Sequence, residues 1–396
     1  MTKEDELRKA GVNVQPPVLE SDVIINHLRD LGYTFRINEC ADTLEVNGYA
    51  ISDEIRAEIR MRLRDTGYAK KIAAAEDAYL AHGKRNGYHP IRDYLDALKW
   101  DGVDHIAALA SYMTGTDPQV VYRDGTSLAL HHAWLYRWLV GAVMKVYTGG
   151  QNPMMVWDGP QGCGKSTLAH WLCPLPNFFL EGAINVADKD SDIRLLSNWI
   201  WEVSELDATT RKADQSALKA FITKEVVTVR KSYGRHDTKK PALASLIGTV
   251  NNTSGFLADE SGSRRFLITR LIHIDLKYQK LDVDQIWAQA HQLYLDGETN
   301  RLTPEEAAAQ RQVNANYEAE TVLSDWIDKY FEFNPEYDER YTLADIITAM
   351  QIDGMRLTGS ERLQAMELSR VLVQRGAKKI HDRTGNRWTG LFKRPR

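Results

Sequence analysis

Residues 154–172 constrain the chain more than any other stretch. Met154-Met155-Val156-Trp157 is an unbroken apolar run of strand length. Ser166-Thr167-Leu168-Ala169-His170-Trp171-Leu172 has the pattern of a helix, which Pro174 cannot continue. Between them lies Gly159-Pro160-Gln161-Gly162-Cys163-Gly164-Lys165-Ser166-Thr167, which fits the phosphate-binding spacing G-x-x-x-x-G-K-[ST]. A strand, a glycine-rich turn and a helix start together form an anion site. Backbone N–H groups point at the phosphates, and the helix dipole favours negative charge there. The glycines let the backbone close without a Cβ clash. Lys165 is expected to reach the β- and γ-phosphates, and the Ser166 hydroxyl to ligate Mg²⁺. The stretch predicts an ATP or GTP site.

Composition sets the class around that site. Of the residues 43% are hydrophobic and 26% charged, the balance of a globular protein with ample core. Met1-Thr2-Lys3-Glu4-Asp5-Glu6 does not read as a signal peptide, and no apolar run is long enough to span a bilayer. The expectation is a cytoplasmic protein with no membrane partner. Cys40, Cys163 and Cys173 lack metal-ligand spacing and read as reduced thiols. Net charge is −4, so any affinity for nucleic acid must come from local clusters.

The pattern divides the chain into five parts. Residues 1–72 read as a small α/β unit, with a helix at Asp22–Leu31, an extended stretch Tyr33–Asn38, and a hairpin turning at Asn47-Gly48. Ser52 is the expected N-cap of the next helix. Residues 73–147 read as helical throughout, and an aromatic segment from Ser127 to Val146 is expected to pack on the core. His131 and His132 are adjacent, share no helix face, and read as structural. Residues 148–275 alternate strand and helix, implying a largely parallel sheet. Residues 276–320 are helical, with Thr303-Pro304-Glu305-Glu306 as a helix start.

Three stretches of the core carry further chemistry. Leu196–Leu206 is an apolar strand delivering acids at its C-terminal end, where open α/β sheets place their sites. Glu202 suits the Mg²⁺ shell and Glu205 the positioning of an attacking water, but the spacing leaves the two roles interchangeable. Arg211 to Lys240 holds nine Lys or Arg against three acids. Val226–Arg230 and Ala242–Val250 read as strands, with 231–236 as a tip. Arg230, Lys231, Tyr233, Arg235 and His236, with Lys239 and Lys240, offer cations and a ring to a single-stranded backbone with stacked bases. Finally, Asn251 ends a strand beside the phosphate loop, where its amide can bond a water or phosphate. Arg264 and Arg265 follow, as guanidinium groups suited to transition-state charge, including a neighbour's.

Residues 321–396 read as a separate small unit. Helical stretches near Val322–Tyr330, Leu343–Met350 and Glu361–Arg375 precede a two-stranded wing, Ala377–His381 and Trp388–Phe392. From Arg375 to Arg396 there are eight Lys or Arg and one acid. A basic winged-helix-like fold is the expectation.

Together these blocks resemble the virulence-associated protein E family of phage and mobile-element proteins, placed with the superfamily 3 helicases among the AAA+ ATPases. The resemblance runs from about Tyr88 to Arg270. It takes in Tyr88-His89-Pro90, Asp93-Tyr94-Leu95, Trp100-Asp101-Gly102-Val103, Gly159–Ser166, Trp199–Leu206, Leu218-Lys219-Ala220-Phe221, Gly248-Thr249-Val250-Asn251 and Gly262–Phe266. It implies an α/β P-loop core and a hexameric, ATP-driven DNA helicase or replication initiator. ATP and Mg²⁺ would be its cofactors, single-stranded and forked DNA its partners, and priming would fall to a separate protein. Glu202 and Glu205 then fall in the acidic motif, Arg230–His236 in the DNA-tracking hairpin, Asn251 at the sensor, and Arg264 or Arg265 at the arginine finger. Two other readings use the same loop: an ATP-switched DNA-binding regulator without unwinding, and a small-molecule kinase.

Overall fold

The structure is a computed structural model. It describes residues 20–185, 188–204, 206, 212–230, 237–251, 257, 260–317, 322–355, 361–382 and 385–394.

The first apolar cluster is local in sequence. Helix α1 (Glu20–Asp30) is followed by strands β1 (Phe35–Asn38), β2 (Thr43–Val46) and β3 (Tyr49–Ala50), then by α2 (Asp53–Asp65) and α3 (Ile72–Arg85). Asn47 and Gly48 have φ of 54° and 86°, so the β2–β3 turn is of the primed kind that matches strand twist. Ser52 caps α2 by accepting from Ile55 N. Ile24, Leu28, Phe35, Leu44, Leu63 and Tyr79 share one core, with Tyr79 of α3 stacked on Phe35 at 4.9 Å.

The chain then runs through α4 (Pro90–Ala97), α5 (His105–Ser111), β4 (Met113–Gly115), β5 (Val120–Val121), β6 (Ser127–Leu128) and α6 (Leu130–Tyr147). The expectation of helix throughout 73–147 is therefore corrected. Met113–Gly115 pairs antiparallel with Leu271–Ile274, at the end of a nine-residue strand that outruns its other neighbour. Those backbone groups need a partner, and a short extended segment supplies it.

Six strands form the central sheet. In chain order the elements are β7 (Met154–Asp158), α7 (Lys165–Trp171), β8 (Phe179–Glu181), α8 (Lys189–Ser197), β9 (Ile200–Val203), α9 (Lys212–Ile222), β10 (Val226–Arg230), β11 (Asp237–Pro241), β12 (Ser245–Val250) and β13 (Phe266–Ile274). The spatial order is β4-β13-β7-β12-β9-β8, parallel except at β4. The fold is thus mixed α/β around a largely parallel sheet. Every residue of β7, β9 and β12 is buried, as expected of strands covered on both faces.

Helix α6 is fastened to this sheet by three donors. Trp134 Nε1 bonds Ile268 O at 2.9 Å, Trp138 Nε1 bonds Leu246 O at 3.0 Å, and Lys145 Nζ bonds Ala244 O at 2.7 Å. The expected packing of this aromatic segment on the core is what the structure shows. His131 and His132 lie half-buried on it, and burial lowers both below the ordinary histidine value. After the sheet strands come α10 (Val283–Leu295) and α11 (Pro304–Ala315), the latter opened by a Thr303/Glu306 capping box.

Beyond lie α12 (Val322–Tyr330), β14 (Phe331–Phe333), α13 (Leu343–Ile352), α14 (Glu361–Gln374), β15 (Lys378–Asp382), β16 (Gly385–Thr389) and β17 (Leu391–Lys393). They enclose a third core around Ile327, Phe331, Ile346, Leu372 and Trp388. The two-stranded reading of Trp388–Phe392 is corrected in register. β16 pairs with β15, and the chain then bends at Gly390, φ 82°, so that β17 pairs with β14 instead.

Trp138→Phe keeps an apolar ring but strands the Leu246 carbonyl and leaves a void. It should destabilise the protein by about 2–4 kcal/mol in denaturant unfolding. A change under about 0.5 kcal/mol would mean that α6 is not held by these bonds.

Candidate functional site

The site forms where β7 ends between β12 and β13. Val250 and Arg270 both register with Asp158, so β7 and β12 finish level while β13 runs on to Ile274. Gly159 leaves this edge with its N–H on Val250 O at 3.3 Å. A Cβ there would stand 2.0 Å from Leu271 O, a backbone atom that cannot yield. Gly164, φ 101°, is the left-handed residue at the helix start, a conformation that glycine adopts without steric cost.

Lys165 opens α7 and is only 6% exposed. Its ammonium donates to Gly159 O at 2.6 Å, Pro160 O at 3.0 Å and Asn251 Oδ1 at 3.3 Å, with Cys163 Sγ at 3.7 Å. Loop and strand-end amide are thus joined through the lysine. Pro160, Gln161, Ser166 and Thr167 stand exposed around it.

Glu202 lies one strand further, at the middle of the buried face, with no measurable exposure. Neither carboxylate oxygen has a hydrogen-bond partner of normal geometry. Burial pushes this carboxyl above its ordinary range; the nearby Ser166 hydroxyl, His170 and the Thr249 hydroxyl act the other way, and Glu181 adds to the rise. A buried, unsatisfied acid costs stability. Here it is placed beside the first hydroxyl after the loop lysine.

The opposite flank was not legible in the sequence. Asp158, 2% exposed, accepts from Tyr317 Oη at 2.8 Å and has Arg270 Nε at 3.9 Å. Asp117 accepts from Thr269 Oγ1 at 2.8 Å and from Arg270 N at 2.5 Å, and burial raises its carboxyl. Together with Thr116 and Asn316 these groups line a cavity of about 370 Å³ next to the loop's first residue. Asp158, adjoining Gly159, was the only one that position alone could have flagged.

Arg264 and Arg265 are not brought to the loop. They precede Phe266, which registers with Met154 at the start of β7, whereas the loop follows Asp158 at its end. Four residues of parallel strand separate the two levels, about 13 Å. α11 holds the segment in place through Gln310 Nε2 to Arg264 O at 3.0 Å and Asn314 Nδ2 to Ser263 O at 2.7 Å. Arg264 is exposed.

The basic hairpin is confirmed as a hairpin with a different return strand. β10 pairs with Asp237–Pro241, from Val226↔Pro241 to Arg230↔Asp237, while Ser245–Val250 belongs to the central sheet. Its tip, with Lys231, Tyr233, Arg235 and His236, lies outside the described residues, as does Glu205. Lys239 is exposed. Lys240 stands at the hairpin's root. Its Nζ is 3.1 Å from Asp42 and 3.0 Å from Glu39 O, so it ties the hairpin's root to the N-terminal unit.

The family model of the virulence-associated protein E-like domain matches residues 95–319, more than half of the chain. The chain belongs to that family. Among solved structures, it is similar to an A-form apo structure of the NrS-1 C-terminal region, at 14% identity and a TM-score of 0.46, covering 92% of this chain and 98% of that one. A second structure of that region, residues 305–718, matches at 13% identity and 0.45, covering 94% and 100%. No curated protein matches. Among the described residues, no helix is long and apolar enough to cross a membrane.

Replacing Glu202 with Gln removes the buried charge and keeps the shape. Because the folded state raises this carboxyl, its ionisation opposes folding above the ordinary carboxylate range, about 4.3. Glu202→Gln should therefore melt at higher temperature than the native protein at pH 7, and the gain should vanish near pH 4. Equal or lower stability at pH 7 would show that the carboxylate is compensated.

Proposed function

We propose that the chain is an ATP-hydrolysing DNA helicase or replication initiator of a phage or mobile element, working as a hexameric ring. The carrying observation is the joint placement of Lys165 on Asn251 and of an unpartnered Glu202 carboxylate beside Ser166. Family membership and the parallel register of β12 and β13 on β7 support a P-loop core of the superfamily 3 kind. The basic C-terminal unit is read as winged-helix-like.

The residues fit Mg²⁺: the exposed Ser166 hydroxyl and the Glu202 carboxylate, both of whose oxygens lack partners, would hold it. Bound with ATP, the ion supplies positive charge to the β- and γ-phosphates. Lys165 exchanges the loop carbonyls for phosphate oxygens, which frees the Asn251 amide to orient the attacking water. Glu205 is assigned to draw that water's proton. The burial of Glu202 supports reading it as the metal ligand, with Glu205 read as the group that positions the water. Arg264 and Arg265, at the far end of the sheet, act on a neighbouring subunit's nucleotide. Each hairpin offers Arg230, Lys231, Tyr233, Arg235, His236 and Lys239 to single-stranded DNA, with a separate protein priming synthesis.

Lys165→Ala should abolish ATP hydrolysis while leaving the fold intact, and single-stranded DNA should stimulate the native rate. Native protein should also separate a forked duplex. Turnover near the native rate in the variant would remove the loop from catalysis. DNA binding without turnover would favour the ATP-switched regulator, and a DNA-indifferent monomer the kinase.

Changing Lys231, Tyr233 and Arg235 together to Ala should weaken single-strand affinity and flatten its salt dependence, since fewer counterions are released. Loss of the Tyr233 ring alone should cost on the order of 1–3 kcal/mol. Unchanged affinity in a titration across salt would move the DNA surface elsewhere.

A further inference from the structure

A second cavity, of about 560 Å³, opens between the N-terminal unit and the central sheet, lined by no residue of the phosphate loop. Its walls are apolar: Ile37 and Leu80 on one side, and Val146, Leu196 and Leu243 on the other. Into this lining project Lys84, Arg92, Lys145 and Lys240, against two acids, Glu39 and Asp42.

Lys145 is the unusual member. It is 4% exposed, and an ammonium carries three N–H donors. Its single partner among the described residues is Ala244 O at 2.7 Å, and no carboxylate acts on it. Lysines are almost never this buried unless paired. The lining acids do not serve it: Asp42 holds Lys240 at 3.1 Å, and neither Asp42 nor Glu39 acts on the Lys145 ammonium. Arg92, which lines the cavity, uses Nε on Val146 O at 2.9 Å and sets its guanidinium carbon 5.9 Å from the Tyr147 ring centroid.

The groups on the floor supply no negative charge. Cys40 Sγ lies 3.5 Å from both ring nitrogens of His89, a position over the ring. Burial pushes the thiol up to about 12, although Lys240 and Arg92 oppose it. Burial and Arg92 push His89 down to about 4. His89 Nδ1 accepts from Arg92 N at 3.2 Å, so its proton sits on Nε2. Both groups are neutral at pH 7, and the cavity is left with an excess of positive charge inside apolar walls.

We propose that this cavity binds a small amphipathic anion, its carboxylate or phosphate head between Lys145 and Arg92 and its apolar body along Ile37, Leu80, Val146 and Leu243. The inference stands apart from the nucleotide site. Lys240 and Pro241 belong to the hairpin's return strand, so an occupant touches the N-terminal unit and the hairpin root at once.

The test is calorimetric titration of the full chain with octyl phosphate, octanoate and octanol, all below micelle-forming concentration. Both anions should bind at least tenfold more tightly than octanol; the stronger of the two identifies the head group. Lys145→Met should lose that preference. Leu80→Trp, which fills the rim and keeps the lysine, should abolish binding, and it carries the test if Lys145→Met does not fold. The proposal fails if octanol binds as well as the anions, or if folded Lys145→Met or Leu80→Trp binds them normally. It also fails if Lys165→Ala, rather than these variants, removes binding, which would place the anion at the phosphate loop.

Discussion

The parallel register around β7 decides what the site contains. Asp158 is level with Val250 on one side and Arg270 on the other, so the loop leaves the sheet directly beside the turn that carries Asn251. The Lys165–Asn251 contact follows from that alignment. So does the separation of Arg264 and Arg265, because a strand parallel to β7 must begin at the opposite edge. One alignment brings Lys165 to Asn251 beside Asp158 and keeps Arg264 and Arg265 away.

That edge is held by packing that tolerates little change. α6 delivers two indole N–H groups and an ammonium to carbonyls on or beside β13 and β12, and Gly159 presses against Leu271 O. These bonds fix the strands under the loop. Against them stands the Glu202 carboxylate, buried without partners, which burial renders unfavourable. The arrangement has the form of a stability–function trade: a rigid sheet carries an acid whose charge is worth having only when a cation is near.

Much of this was legible in the chain because it is written locally. The loop, the Asn47-Gly48 turn, the Ser52 cap and the Thr303 capping box each depend on neighbours in sequence. What was missed depends on distant contacts. Met113–Gly115 becomes a strand only because β13 outruns β7, and Asp117 meets Thr269 across more than a hundred residues of chain. Lys240 counted as one more cation in a basic run until Asp42 appeared beside it. The hairpin's return strand was displaced by a similar cause: 242–250 is apolar enough to be a strand, but the sheet claims it, leaving the polar Asp237–Pro241 to close the hairpin.

The central claim is that one active site is built from two chains, with the phosphate loop on one and the arginines on the other. Subunit mixing tests it most directly. A chain carrying Arg264→Ala and Arg265→Ala and a chain carrying Lys165→Ala should each be inactive, since an arginine finger contributes about 10³–10⁵ in rate. Mixed, they should regain part of the native ATPase rate, because some interfaces then join an intact loop to intact arginines. If native mass measurements show mixed rings and hydrolysis stays absent, the arginines do not act across the interface.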